Sequence, residues 1–162
     1  MKLHESPDRS IRPTKAVVRK SIFQRLEPWA DKKVCDLYAG IGTLGIEALS
    51  RGAAHVTFVE NDNHALSVLG LNLQKIKAGY QHSIARMDAI SFLELSDEHF
   101  DVVLADPPYH SVTWEDLQLQ VDGVLADEGV FVMELPRKVT LPENIDVRTF
   151  GKTKVGVWQK MT

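Results

Sequence analysis

A glycine-rich segment between an apolar run and a helical pattern constrains the fold of this chain more than any other feature. The segment spans residues 36–45, with the sequence DLYAGIGTLG, and Gly40, Gly42 and Gly45 satisfy the spacing G-x-G-x-x-G. Glycines at this spacing let the backbone turn tightly and approach a nucleotide-like ligand closely. Because the turn follows a strand and opens a helix, it predicts a ligand site at the carboxyl edge of a parallel sheet. The spacing alone is a weak signal, since glycines also end strands and begin helices for structural reasons.

Short apolar runs alternate with helical periodicity along the rest of the chain, which indicates parallel strands connected by crossover helices. We expect strands over residues 33–38, 55–60, 83–87, 100–105 and 130–135, helices over 14–27, 43–51, 62–78 and 113–125, and a terminal hairpin over 147–150 and 154–158. Thr14 is expected to cap the first of these helices, and Thr113 with Asp116 to form a capping box on the last. The pattern predicts an α/β fold, with a doubly wound, mostly parallel, Rossmann-like sheet and a C-terminal antiparallel hairpin.

Length and composition limit the class of protein. The 162 residues suit one domain with one substantial core, so we expect a single domain over residues 1–162. Hydrophobic residues make up 44% of the chain and charged residues 25%, which excludes disordered and fibrous classes. No apolar run approaches the ~18 residues that cross a bilayer, and none follows the first lysine as in a secretory signal. With Cys35 as its one cysteine, the chain is expected to be cytoplasmic, without a disulfide or a cysteine-only metal cluster.

Positive charge is concentrated at the start of the chain. Residues 1–33 contain nine Lys and Arg against four Asp and Glu, although the whole chain has a net charge of −3. Residues 1–30 are therefore expected to form a basic N-terminal segment whose helix packs on the domain. Such a segment favours contact with a polyanion such as a nucleic acid. A solvated helix face would have the same composition, so charge alone leaves both interpretations open.

Acidic residues near the glycine segment indicate which cofactor it binds. Glu60 ends the second predicted strand, twenty residues beyond Gly40, where an acid can accept both hydroxyls of an adenosine ribose. Asp36, at the mouth of the first strand, would repel the pyrophosphate of a dinucleotide but suits an ammonium or sulfonium group. We therefore predict S-adenosylmethionine rather than NAD. Asp88, after the third strand, is placed to accept from the adenine amino group and can also cap the helix that follows.

The sequence Asp106-Pro107-Pro108-Tyr109 directly follows the fourth predicted strand. A residue that precedes a proline is driven to an extended conformation, so this loop is stiff. The Asp106 carboxylate and the Pro107 carbonyl can together hold both hydrogens of an amino group, and Tyr109 offers a ring on which a flat base can stack. The held nitrogen can then aim its lone pair at a sulfonium methyl. The loop predicts methyl transfer to an exocyclic amino group, although a proline turn with an incidental aspartate is the structural alternative.

In combination, these motifs resemble the bacterial 16S rRNA guanine-N2 methyltransferase family. The resemblance rests on RPTKAVVRKSIFQRL, DLYAGIGTLGIEALSRGAAHVTFVE and DPPY, and it covers nearly the whole chain. It implies the class I methyltransferase fold, S-adenosylmethionine as donor, and a guanine of small-subunit ribosomal RNA, free or in an assembly intermediate, as acceptor. It also implies that Arg12-Pro13-Thr14 closes over the site. The first helix departs from the family pattern at Val17 and Lys20, and the glycine segment departs at Ile41.

The candidate site residues fall into three groups. The catalytic group is Asp106, Pro107 and Tyr109. The cofactor group is Asp36, Ala39, Gly40, Gly42, Gly45, Glu60, Asn61, Asp88 and Ala89. The nucleic-acid group is Arg12, Thr14, Lys15 and Arg19. We assign no metal ligand, because the histidines show no ligand spacing.

Other functions are compatible with parts of the sequence. An N6-adenine DNA methyltransferase uses the same amino-group chemistry, but 162 residues leave little room for reading and opening a duplex. The basic first segment disfavours a protein-glutamine methyltransferase, and the intact DPPY disfavours a binding module that holds S-adenosylmethionine without catalysis. An NAD-linked oxidoreductase is disfavoured by Asp36. We expect a monomer that does not contact membranes.

Overall fold

The computed structural model describes residue 3, residues 13–108 and residues 112–161. The helices are α1 (Pro13–Arg25), α2 (Thr43–Ser50), α3 (Asn63–Gln74), α4 (Ala89–Leu95) and α5 (Trp114–Asp122). The strands are β1 (Lys33–Leu37), β2 (His55–Val59), β3 (His82–Ala85), β4 (Phe100–Ala105), β5 (Leu125–Pro136), β6 (Asp146–Phe150) and β7 (Thr153–Gln159).

The strands form one seven-stranded sheet in the order β3-β2-β1-β4-β5-β7-β6. Strands β1 to β5 pair in parallel, while β7 runs antiparallel to both β5 and β6. The chain winds outward from β1 to β3 and then returns to β4, so the winding direction reverses between β1 and β4. In a doubly wound sheet this reversal opens a crevice at the carboxyl ends of the two strands. The predicted fold, including the C-terminal hairpin, is confirmed.

Helices cover both faces of the sheet, which explains why the central parallel strands are largely apolar and buried. Alternate residues of a strand point to opposite faces, so the core divides into two clusters. One cluster joins α1, α2 and α3 to strand residues such as Phe58 and Leu104. The other joins α4 and α5 to strand residues such as Leu37 and Phe131. The ends of both clusters support the same carboxyl edge of the sheet.

Most local predictions agree with the structure. The stripe expected on α1 is buried, since Val18, Ile22 and Leu26 are at most 7% exposed. Thr113 caps α5 in a full capping box with Asp116, as the spacing predicts. These features depend on neighbours three to eight residues apart, which is why the sequence alone indicates them.

The differences from the predictions have structural causes. Thr14 was expected to cap α1 but lies inside that helix, which already includes Pro13, a residue whose fixed φ suits a first helical turn. Helix α3 ends at Gln74, earlier than expected. Strand β5 begins at Leu125, earlier than expected. The apolar pattern did not indicate this start, because an irregular polar stretch with Glu128 at φ 63 interrupts it. Helix α5 is correspondingly shorter than predicted.

Candidate active site

The strand registers bring two carboxylates together at the carboxyl edge of the sheet. Leu37 in β1 lies beside Ala105 in β4, and Ala105 lies beside Met133 in β5. The next residues along the chain, Asp106 and Glu134, therefore occupy adjacent positions at this edge. Residues two positions before each of them belong to the core cluster beneath α1, α2 and α3. Both carboxylates thus lie on the side of the sheet where α1 packs.

The glycines after β1 have two different roles. Gly40 and Gly42 have left-handed backbone, with φ of +58° and +92°, which side chains rarely allow. Gly45 is explained by packing instead, because an added Cβ would lie 2.3 Å from Cε1 of Phe58 in β2. The segment therefore combines a tight turn with a close approach of α2 to the sheet, as nucleotide-binding turns of this kind do.

Side chains from two other elements hold the turn in place. The Glu60 carboxylate accepts from the Gly40 N–H at 2.8 Å and from the next two backbone N–H groups after Glu60 at 3.0 and 2.8 Å. Asn72 of α3 is fully buried and donates to the Ile41 carbonyl at 2.9 Å. The turn is thus preformed by the protein. Sequence reasoning missed Asn72, since one Asn in an amphipathic helix carries no local signal.

The sequence suggested that Asp36 lies at the mouth of β1, but the residue lies within this strand. Its side chain is 1% exposed, and its Oδ2 accepts from the Gly45 N–H at 2.9 Å. Burial raises the pKa of Asp36 to about 8; the hydrogen bond from Gly45 opposes the rise, and the negative charges of Asp106 and Glu60 add to it. Three carboxylates therefore act on one another where the winding reverses. A cation bound among them would relieve this repulsion.

The remaining predicted cofactor residues lie at the same edge of the sheet. Ala39 belongs to the turn, where its N–H is bonded to the end of β2 at 3.0 Å. Asn61 is exposed directly after β2. Asp88 is also exposed and caps α4 by accepting a backbone N–H at 3.3 Å, and Ala89 is the buried first residue of that helix. The structure confirms the capping role of Asp88, while contacts of these residues with a cofactor stay predictions.

The predicted catalytic loop begins at the end of β4. Asp106 directly follows this strand and its side chain is 40% exposed, whereas Pro107 is buried and Pro108 is exposed. Because Asp106 follows Ala105, which pairs with Leu37 at the end of β1, the loop lies next to the glycine turn. Asp106 and Pro107 are therefore brought to the predicted cofactor edge. Tyr109 lies outside the described residues.

A lysine of α1 joins the two carboxylates at this edge. Lys15 Nζ lies 2.9 Å from Glu134 Oε2 and 3.4 Å from Asp106 Oδ2. Burial, followed by the charge of Asp106, raises the pKa of Glu134, and Lys15 opposes this rise. Burial would lower the pKa of Lys15, but the two carboxylates outweigh it and raise that pKa above its ordinary value. Sequence reasoning missed Glu134; its signal is one acid in the apolar run FVMELP.

The residues predicted to contact nucleic acid lie on or before α1. Lys15 faces the catalytic loop, as its contacts show. Arg19 is half-buried one turn later, on the same side of the helix, and the described residues show no ion pair with it. The Thr14 side chain and all of Arg12 lie outside the described part of the chain. Contacts of these four residues with RNA stay predictions.

The described residues were compared with the requirements of a membrane span and of a metal site, and they meet neither. None of their helices is both long and apolar enough to cross a bilayer. No group of three or more His, Cys, Asp or Glu among residues 13–108 and 112–161 is arranged to hold a metal ion.

The sheet order, the glycine turn after β1 and the acidic crevice beside β4 define a class I methyltransferase. The chain belongs to the family described as "Conserved hypothetical protein 95", which matches residues 1–159.

Named relatives agree with this class. The chain is 34% identical over 163 residues to "Putative rRNA methyltransferase YlbH" of Bacillus subtilis, covering 93% of this chain and 89% of that protein. It is 36% identical over 135 residues to "Ribosomal RNA small subunit methyltransferase D" of Escherichia coli, covering 82% and 68% respectively. A solved structure, "Putative methyltransferase yhhF from Escherichia coli", has a TM-score of 0.81 at 32% identity and covers 93% and 88%. The predicted class, an S-adenosylmethionine-dependent methyltransferase, is confirmed.

Proposed function

We propose that this protein methylates the exocyclic N2 amino group of a guanine in small-subunit ribosomal RNA. The observation that carries the proposal is the position of Asp106, directly after the paired residues Ala105 and Leu37 and so beside the glycine turn that Asp36 and Glu60 hold. A carboxylate that suits an amino group thus lies next to a crevice that suits a cation. The name of the Escherichia coli relative supports ribosomal RNA of the small subunit as the substrate.

The side chains in the crevice fit S-adenosylmethionine better than a dinucleotide. The buried Asp36 carboxylate suits a positively charged ammonium or sulfonium group, whereas a pyrophosphate would be repelled. Glu60 accepts three backbone N–H groups, and a carboxylate has about four acceptor sites, so it can still accept from a ribose hydroxyl. Asp88 is exposed after β3 and is available to the adenine amino group. These acids therefore match the donor groups of the cofactor.

The chain's own contribution to the reaction is to hold the acceptor nitrogen. Bound S-adenosylmethionine supplies an activated methyl group. We propose that the Asp106 carboxylate and the Pro107 carbonyl accept the two amino hydrogens, and that Tyr109 stacks on the base. The released proton then passes to Asp106 or to water. Alignment of this kind supplies on the order of 7–11 kcal/mol of the barrier reduction.

We propose that α1 and the residues before it contact the RNA. Arg19 lies on the side of α1 that faces the catalytic loop, and Arg12, Thr14 and Lys15 complete the group. We further propose that one domain acts as a monomer in the cytoplasm, on ribosomal RNA or on an assembly intermediate of the small subunit.

The proposed function is tested by methyl transfer to ribosomal RNA. The purified protein is incubated with labelled S-adenosylmethionine and small subunits, or their RNA, from bacteria that lack the gene. We expect N2-methylguanosine at one position when the nucleosides are analysed by mass spectrometry, and no label in duplex DNA. Product consisting of N6-methyladenosine, or label in protein alone, would contradict the proposal.

The raised pKa of Asp36 predicts that cofactor binding depends on pH. Below its pKa of about 8, the ligand-free carboxyl carries a proton, whereas a bound cation favours the ionised form. Affinity for S-adenosylmethionine should therefore rise with pH, by up to about tenfold per unit, and level off above about pH 8. Titration calorimetry across this range measures the slope. Asp36→Asn keeps an oxygen that can accept from the Gly45 N–H, and it should bind S-adenosylmethionine more weakly, with an affinity that does not change with pH. The same slope in both proteins would show that another group causes the pH dependence.

A further inference from the structure

Three charged side chains converge at the mouth of the catalytic loop. Asp106 is the proposed amino-group acceptor, and Lys15 contacts both it and Glu134. The Glu134 side chain is only 6% exposed and lies beneath the lysine, whereas Asp106 is 40% exposed. A nucleobase whose edge contacts Asp106 would therefore also contact Glu134 and Lys15.

Stability does not account for the buried acid at this position. Removing a carboxylate from water costs more than burying an apolar side chain of similar size, and a buried ion pair is often replaced without loss of stability. The neighbouring residues of β5 are apolar, including Val132 and Met133, so an aliphatic side chain would continue their pattern. The pair formed by Glu134 and Lys15 is thus better explained by a group that it recognises.

The Watson–Crick edge of guanine presents three groups in a row. The exocyclic amino group and the adjacent N1–H are both donors, and the O6 atom beyond them is an acceptor. Adenine differs at the central position, because its N1 is an acceptor and would face a neighbouring carboxylate with its lone pair. Two adjacent carboxylates, with the ammonium of Lys15 beside the second, therefore complement guanine, whereas the second carboxylate would repel N1 of adenine.

We infer that Glu134 and Lys15 select guanine, with Glu134 accepting the N1–H and Lys15 donating to O6 while Asp106 holds the amino group. The inference rests on the proposed function and assigns Lys15 to the base. Lys15 is closer to Glu134 than to Asp106, at 2.9 against 3.4 Å, so it can release Asp106 and remain with Glu134. The guanine amino group then replaces Lys15 as the partner of Asp106.

The test compares guanosine with 2-aminopurine riboside at the methylated position. The analogue keeps the amino group at C2 but lacks both the N1–H and O6. The RNA is joined from synthetic pieces and used free or assembled into small subunits, whichever the wild-type protein methylates. The wild type should prefer guanosine by about 10²–10³-fold in kcat/KM, because an analogue leaves buried charges unpaired.

Substitution of Glu134 should remove most of this preference. Glu134→Leu, which matches the apolar neighbours, should slow methylation of guanosine by about 100-fold and change the rate on the analogue little. Glu134→Gln keeps the shape of the side chain and should reduce the preference for guanosine over the analogue by about tenfold. This variant replaces Glu134→Leu in the test if the leucine variant folds poorly. Glu143→Leu, at an exposed glutamate elsewhere, is the control and should behave as the wild type. Thermal unfolding and S-adenosylmethionine binding confirm that each variant is folded.

Two outcomes would overturn the inference while leaving the proposed function intact. Equal slowing of both substrates in Glu134→Leu and Glu134→Gln would show that Glu134 only positions Lys15 and Asp106. A wild-type protein that methylates the analogue as fast as guanosine would show that the N1–H and O6 are not read. By contrast, a wild type that forms no N2-methylguanosine at all would refute the proposed function itself.

Discussion

Asp106→Ala is expected to slow methyl transfer by about 10²–10³-fold, which is the usual cost of removing one positioned hydrogen-bonding group from a reacting centre. The substitution deletes the acceptor for one amino hydrogen and leaves Lys15 with Glu134 as its remaining carboxylate partner. Binding of S-adenosylmethionine should persist, because Asp36 and Glu60 are retained. Single-turnover kinetics with saturating RNA and calorimetry with the cofactor measure the two effects separately.

The control for this variant is Asp127→Ala. Asp127 is exposed near the start of β5, so it is far along that strand from the catalytic edge. Asp127→Ala changes the net charge by the same amount as Asp106→Ala and should leave the rate of methyl transfer unchanged. If Asp106→Ala retained about a tenth or more of the wild-type rate, Asp106 would not be the residue that holds the amino group.

Gly45→Ala is expected to lower the free energy of unfolding by about 1–3 kcal/mol, since a methyl group must enter a well-packed core. The added Cβ would lie 2.3 Å from Phe58 Cε1 and 2.9 Å from Val56 Cγ1. Relief of this overlap requires α2 to move away from β2, and the glycine turn would move with it. Denaturant unfolding measures the loss of stability, and weaker cofactor binding should accompany it.

Gly70→Ala provides the matched control in a neighbouring helix. Apart from its chain neighbours and the backbone of its own helix, no atom lies within 4 Å of a Cβ placed at Gly70, which is in the interior of α3. Alanine favours a helix over glycine by about 0.8–1.0 kcal/mol, so this variant should be slightly more stable than the wild type. Equal stability of the two variants would mean that the contact of α2 with β2 tolerates an extra methyl group.

Local sequence patterns were sufficient to predict most of the fold. Strand β4 spans the six residues expected from its apolar run, and α2 begins at Thr43 directly after the glycine turn, as predicted. One error occurred where a distant partner determines the element. Strand β5 continues through the polar residues Asp127 and Glu128 because β4 pairs with it across an irregular register. An apolar pattern could not indicate that pairing.

The candidate site was predictable where its residues are close together in the chain. The turn around Gly40 and the loop at Asp106 are contiguous motifs with a local mechanical meaning, so they could be recognised in isolation. Glu134 and Asn72 belong to no contiguous motif of this kind. They became visible only when the sheet register placed Glu134 beside Asp106 and when helix packing placed Asn72 against the glycine turn.

Backbone preferences and apolar periodicity act between near neighbours, so the order of residues was enough to predict a parallel sheet with a glycine turn and a stiff acidic loop. The tertiary structure alone decided how the charges combine. It buried Asp36, which raises its pKa to about 8, and it joined Lys15 to Glu134 across 119 positions of the chain. Electrostatic interactions depend on distance in space and on burial, and neither is encoded in the order of residues along a local segment.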